Sequence, residues 1–170
     1  VDFDQWPSLS RYVLLFLMMI GACAGSTGGG MKVSRFLLSV KSALRELNSY
    51  LFPKSVKKIK MDGKTVDEEA IRGINVYFTA YILLVVLSVF LICINGMDIE
   101  SAFSSVLGTF NNIGPGLGKF GPTCNFGWVS TFSKYVYIFD MLAGRLELFP
   151  VLILLYPPSW RGLLKRSMKR

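Results

Sequence analysis

The stretch TFNNIGPGLG, Thr109 to Gly118, holds the residues best suited to chemistry with a monovalent cation. Dehydrating such an ion requires oxygen ligands in place of its water. Backbone carbonyls aimed at an axis supply them without net charge. Glycine gives the chain the dihedral freedom and the close approach that such a lining needs. The preceding run DIESAFSSVLGTF reads as a short helix, whose negative C-terminal end would face the cation. The bland alternative is an ordinary Gly/Pro loop outside a membrane. Apolar spans on both sides favour the ion-lining reading, because irregular backbone is tolerated at membrane depth only where it lines a cavity or is buried in protein.

Arg145 is the second chemical candidate. It lies mid-way along an apolar stretch, where an arginine costs about 2.5–3.5 kcal/mol on insertion scales. Asp140 and Glu147 are seven residues apart and share one helix face, whereas Arg145 points about 140° from Asp140 at about 100° per residue. Its charge is therefore not neutralised along its own helix. It must face water, backbone carbonyls or another helix, as an electrostatic barrier, a strut, or one half of a structural salt bridge.

The third candidate is GACAGSTGGGMK, from Gly21 to Lys32. A small-xxx-small packing face formed by Gly21 and Gly25 is one reading. A phosphate-binding loop fails, because Gly30 is followed by Met31-Lys32 rather than Lys-Ser/Thr. A nucleophile elbow fails, because Ser26 lacks the required flanking glycine and the chain has no histidine. A broken helix lining a pore is the reading that agrees best with an internal repeat in the chain.

The positions of these groups follow from the elements around them. The run Val76 to Gly96 contains no Asp, Glu, Lys or Arg, and it is long enough to cross a bilayer, which needs about 20 apolar residues. Two further apolar segments flank it, Tyr12 to Ala24 and Tyr135 to Tyr156. Of 19 basic residues, ten lie between Lys32 and Arg72 and five after Trp160, both groups adjoining apolar spans. The positive-inside rule makes these segments cytoplasmic, which argues against reading the net charge of +8 as a nucleic-acid signature. Three isolated cysteines and no histidine exclude a disulfide framework and remove most nucleophile–base pairs, so no enzyme is expected.

The expected order is a first helix to residue 50, broken at 23–31 by four glycines in six residues. A basic cytoplasmic linker (51–68) comes next, with a hairpin signal at Asp62-Gly63. Then come a span (70–96), a short pore helix (98–110) capped by Asp98, an irregular loop (111–118), a last span (131–157) and a basic tail (159–170). Span, short re-entrant helix, loop and span form a pore-loop plan. The fold class expected is all-α and membrane-embedded, with tandem span–pore loop–span repeats as in potassium channels.

The internal repeat supports the tandem. Shifted by 123 residues, SRYVLLFLMMIG (Ser10 to Gly21) lies over SKYVYIFDMLAG (Ser133 to Gly144), with six of twelve positions identical. Arg145 then corresponds to Ala22, one turn from the Gly25–Gly30 break. The counterpart of Gly114 would precede Val1, so the chain reads as an internal or C-terminal fragment of a longer one.

Together GACAGSTGGGMKVSRFLL, FNNIGPGLG and FDMLAGRLELFPVL resemble the bacterial Trk-type potassium transport membrane subunits of the Trk/Ktr/HKT superfamily, over essentially the whole chain. That resemblance implies a gated, carbonyl-lined pore for potassium uptake across the bacterial inner membrane. Potassium would be the transported substrate, with no covalently bound cofactor. Asn111, Asn112, Ile113 and Gly114 match the family's fourth filter segment, with potassium placed at Asn112, Ile113 and Gly114. Gly25, Ser26, Thr27, Gly28, Gly29 and Gly30 match its intramembrane gating loop, and Arg145 the arginine that closes the path against it. The implied partners are the membrane, a second copy in a homodimer, and a cytosolic TrkA-like, nucleotide- and NAD-binding regulatory subunit at the Lys54–Lys64 linker and the tail. No nucleic acid is expected. The family's first two repeats and its third filter are absent, so this segment alone should not conduct. Competing expectations are a sodium-tolerant cation transporter and a non-conducting membrane assembly subunit.

Overall fold

A computed structural model describes residues 2–23, 25–26, 28–52, 58–61, 63–146 and 150. Among these the order is α1 (Ser8–Ile20), α2 (Val33–Leu51), β1 (Lys60–Met61), β2 (Lys64–Thr65), α3 (Glu68–Cys93), α4 (Ile99–Phe110) and α5 (Thr131–Arg145), with short 3-10 turns at Phe3–Gln5 and Gly118–Phe120. The expectations for Thr27, for residues 53–57 and Asp62 of the linker, for Glu147 and most of the chain beyond it, and for the 159–170 tail lie outside the described residues.

Pro7 opens α1, where its fixed φ suits the position and its missing N–H costs nothing. The helix stops at Gly21, whose φ of 77° is a left-handed conformation that glycine reaches without a Cβ clash. Helix resumes only at Val33. The irregular segment is therefore 21–32, starting before the cluster of glycines, because one left-handed residue suffices to end a helix.

Helix α3 has 26 residues and is the one described helix long and apolar enough to cross a membrane. At 1.5 Å per residue it is about 39 Å long. Tyr77, Tyr81, Val85, Ser88 and Ile92 form its buried face at helical spacing, while Leu83, Val86, Leu87 and Phe90 point outward. Exposed Leu9, Val13, Phe16 and Leu17 on α1 form a similar apolar face. Such faces suit lipid or further protein rather than water.

Helix α4 is the buried centre. Its 12 residues reach about 18 Å, well short of a hydrocarbon core of about 30 Å. Asp98 caps it, accepting a hydrogen bond from the Ser101 amide at 3.0 Å. Ala102, Val106, Leu107 and Phe110 pack into a core completed by Leu15 of α1, Tyr81 and Val85 of α3, and Val136 and Ala143 of α5. Its buried hydroxyls are satisfied locally. Ser105 Oγ donates to the Ala102 carbonyl at 2.9 Å, and Thr109 Oγ1 to the Ser105 carbonyl at 2.9 Å. From Ser101 onward this serine-rich helix can be buried because no hydroxyl among these is left unpaired.

The chain after α4 doubles back along it. The Ile113 and Gly114 amides donate to the Gly108 carbonyl (2.8 and 3.1 Å), the Leu117 amide to Ser104 Oγ (2.9 Å), and the Lys119 amide to Ser101 Oγ (3.2 Å). Successive loop residues meet successively earlier turns, so helix and loop enter and leave at the same end. Phe120, Phe126 and Tyr137 pack together there, with Trp128 stacked on Phe120.

At the opposite end of α3, β1 pairs antiparallel with β2, Lys60 opposite Thr65 and Met61 opposite Lys64, through a turn with Gly63 at φ 78°. Leu38, Ile59 and Ile71 form a small separate core beside it. Arg45 bridges α2 to α3 through Glu68.

Candidate functional site

The site forms where α4 ends. Asn111 is its C-cap, Asn112 takes a left-handed φ of 55° and Gly114 a φ of 101°. Asparagine is among the few residues with a side chain that visit this region readily. At Gly114 the positive φ favours glycine, although open space lies beside its Cα. Positive φ at alternate positions keeps the backbone out of the flat pleat. Among the described residues no hydrogen bond ends on the carbonyls of Asn111, Asn112, Ile113 or Gly114. Asn112, Ile113 and Gly114 are exposed, at the negative end of α4.

Asn111 differs from its neighbours. Its side chain is buried and turned away from the opening, donating to the Leu107 carbonyl at 3.1 Å and meeting the Tyr81 hydroxyl at 3.3–3.4 Å.

The glycine segment 21–32 is an excursion whose ends meet: the Val33 amide donates to the Ala22 carbonyl at 3.0 Å. Within it Gly25 (φ 83°) and Ser26 are exposed, and Ser26 Oγ accepts from the Gly28 amide at 3.2 Å. Gly29, Gly30 and Met31 are buried, the two glycines against the end of α4. A Cβ on Gly30 would overlap the Asn111 side-chain oxygen. One on Gly29 would stand 2.6 Å from Asn112 Nδ2 and 3.0 Å from the Phe110 and Gly144 carbonyls. These two glycines are therefore close-approach positions, where any side chain would push the segment off the end of α4.

Gly21, Ala22, Gly28, Asn111, Asn112 and Ile113 line one cavity of about 360 Å³, together with Leu14, Leu17 and Met18 of α1. The structure thus brings the predicted filter and the predicted break together. Arg145 is the last residue of α5, exposed, directly after the buried Gly144. A Cβ on Gly144 would overlap the Phe110 carbonyl oxygen. Asp140, one turn earlier, accepts from Ser88 Oγ at 2.7 Å through one oxygen, and its other oxygen is buried without a hydrogen bond.

Reading the sequence did not single out Gly144, Tyr77 or Tyr81. Tyr77 donates to the Gly30 carbonyl at 3.1 Å. The available signal was a pair of phenols four residues apart in an otherwise apolar span, each of which needs a polar partner when buried.

A family model described as TrkH, cation transport protein, matches residues 1–160. The chain belongs to the TrkH cation transport protein family. This is a family of transporters and not of enzymes. It is the family expected from the three motifs. The Trk system potassium uptake protein TrkH of Vibrio parahaemolyticus is 45% identical over 160 residues, covering 94% of this chain and 33% of that protein. The TrkH proteins of Salmonella typhimurium and Escherichia coli K12 are each 41% identical over 157 residues, covering 92% of this chain and 32% of each of theirs. The crystal structure of the potassium transporter TrkH from Vibrio parahaemolyticus superposes with a TM-score of 0.84 at 44% identity, over 94% of this chain and 34% of that one. The chain therefore spans about a third of the length of the curated TrkH relatives it matches.

Proposed function

We propose that this chain is part of a gated, potassium-selective pore that serves potassium uptake across the bacterial inner membrane. The observation that carries this reading is the backbone from Asn111 to Gly114. Its carbonyls accept no hydrogen bond among the described residues, its φ alternates in sign, and it lies at the negative end of a buried helix beside a cavity. Potassium ions shed water readily onto carbonyl oxygens arranged in this way. The relatives' names, potassium uptake proteins, support potassium as the substrate.

In this reading residues 111–114 supply one quarter of a filter ring, and the remaining repeats come from the rest of the protein. The segment 25–30 is the gate below it. It lies against the filter base through Gly29 and Gly30, so it obstructs the path until it withdraws. Arg145 adds a positive charge on the α5 side that repels the permeant cation. A homodimer and a cytosolic TrkA-like regulatory subunit complete the assembly, the latter docking on the basic linker.

The test is Gly114→Ser in the full-length protein, assayed by potassium-dependent growth of an uptake-deficient bacterium and by ion flux in proteoliposomes. The serine must adopt φ near 101°, a strained conformation for a side-chain-bearing residue. Loss of potassium over sodium selectivity is expected. Unchanged selectivity would reject the filter assignment.

A further inference from the structure

Two buried phenols on α3 connect the glycine segment to the filter. Tyr77 and Tyr81 lie four residues apart, which places them on one helix face. They are 3% and 1% exposed, among the most buried large side chains of the core. The Tyr77 hydroxyl donates to the Gly30 carbonyl at 3.1 Å. The Tyr81 hydroxyl pairs with the Asn111 side chain, at 3.4 Å from Oδ1 and 3.3 Å from Nδ2. Its ring meets that of Phe110 edge-on, with centroids 5.1 Å apart. Gly30 and Asn111 touch each other, since a Cβ on the glycine would overlap the asparagine oxygen. The four groups therefore form one contact chain: α3, segment 21–32, filter base, and α3 again.

A phenylalanine would fill either place equally well in an apolar core. The hydroxyls carry a desolvation cost that only a polar partner offsets. Each of the two has such a partner, and the partners are the last glycine of the break and the first residue of the filter sequence. Tyr77 is also held from its ring face, with the Arg35 guanidinium 4.3 Å over the ring centroid. It thereby joins α2, the break and α3 at one point.

We infer that Tyr77 and Tyr81 are positioning residues with separate tasks: Tyr77 latches the glycine segment in its closed place, and Tyr81 sets the filter geometry through Asn111. This rests on reading 25–30 as the gate and 111–114 as the filter. Withdrawal of the gate breaks the Tyr77–Gly30 hydrogen bond. It also frees one side of Asn111, which Tyr81 continues to hold. The two tyrosines thus permit the gate to move while the filter keeps its shape.

The experiment uses the full-length protein with Tyr77→Phe, Tyr81→Phe and Gly114→Ser, reconstituted in proteoliposomes. Potassium flux per folded molecule and the potassium/sodium ratio are both measured. Tyr77→Phe removes one hydrogen bond from the closed state alone. It is expected to raise unstimulated flux roughly 2- to 10-fold, the range of a single net hydrogen bond, with the ion ratio unchanged. Tyr81→Phe is expected to lower the ion ratio. If Gly114→Ser loses selectivity while both tyrosine variants match the parent in both readouts, the filter reading stands and the positioning roles are rejected. The same rejection holds if the variants only reduce the amount of folded protein. If Gly114→Ser retains full selectivity, the filter reading itself falls and the inference with it.

Discussion

Helices α1 and α5 align over Ser10–Gly21 and Ser133–Gly144, yet they treat the aligned glycine in opposite ways. Both glycines approach the turn that ends α4. A Cβ on Gly21 would come 3.6 Å from Asn111 Oδ1, and one on Gly144 would strike the Phe110 carbonyl. At Gly21 the backbone turns left-handed and the helix is lost for twelve residues, 21–32. Gly144 is still helical, and α5 ends one residue later, at Arg145. The shared feature is the missing side chain at one level. Beyond that level the two diverge, into irregular backbone on one side and an arginine on the other. Under the proposed function, two segments of similar sequence would supply two unlike halves of a closure.

The largest test of this comparison is a methyl group at each glycine. Gly144→Ala drives a Cβ into a backbone oxygen that α4 holds in place, and is expected to cost about 3 kcal/mol. Gly21→Ala meets only the strain of its left-handed φ and a 3.2 Å approach to the Gly29 carbonyl, and is expected to cost about 1 kcal/mol. Thermal unfolding of the full-length protein in detergent measures both. Equal costs would mean that the two glycines do the same job.

A smaller effect sharpens the contrast between charge and backbone. Arg145→Ala should raise potassium flux several-fold, about 1 kcal/mol of barrier, while Ala22→Arg, at the aligned position just beyond α1, should lower it. Flux assays on both variants decide whether the charge or its placement matters. Loss of folding in Arg145→Ala without raised flux would make the arginine a strut.

The smallest effect lies far from the closure, at the start of α4, and leaves the comparison intact. The Ser101 side chain and amide hold the Asp98 carboxyl down at about 2, with Lys119 at 3.3 Å adding to this. A carboxylate held below its unfolded value stabilises the fold above the ordinary carboxylate range. That contribution disappears as pH falls through about 2. Asp98→Ala should cost about 1 kcal/mol at neutral pH as a lost cap. Asp98→Asn should keep most of the cap and flatten the acid limb of the stability curve, as monitored by circular dichroism against pH.

Much of the architecture was readable from composition. The length and modest hydrophobicity of DIESAFSSVLGTF identify a helix too short to span, and Asp98 announces its cap. The charge-free run before it announces α3. These are local signals, carried by propensity and hydropathy. The start of the break is less legible, because Gly21 reads equally well as a packing glycine and as a helix stop. Only its φ separates the two. Tyr77 and Tyr81 are illegible for a different reason. Their partners lie 47 and 30 residues away in sequence, and a tyrosine in an apolar run looks like any other aromatic. Periodicity places Asp140 on one face with Glu147, but what it meets, Ser88 of α3, depends on packing between helices.

The bond between the Val33 amide and the Ala22 carbonyl, which joins the two ends of the glycine segment, bears on how the path would be regulated. A loop tied at its neck can swing while its anchor points stay at a constant separation. A gate built this way, as proposed, would rearrange beyond the neck without asking α1 or α2 to slide or tilt in the bilayer. Under the proposed gate, regulation works on a small local equilibrium and leaves undisturbed the surrounding lipid, which would resist the motion of whole helices.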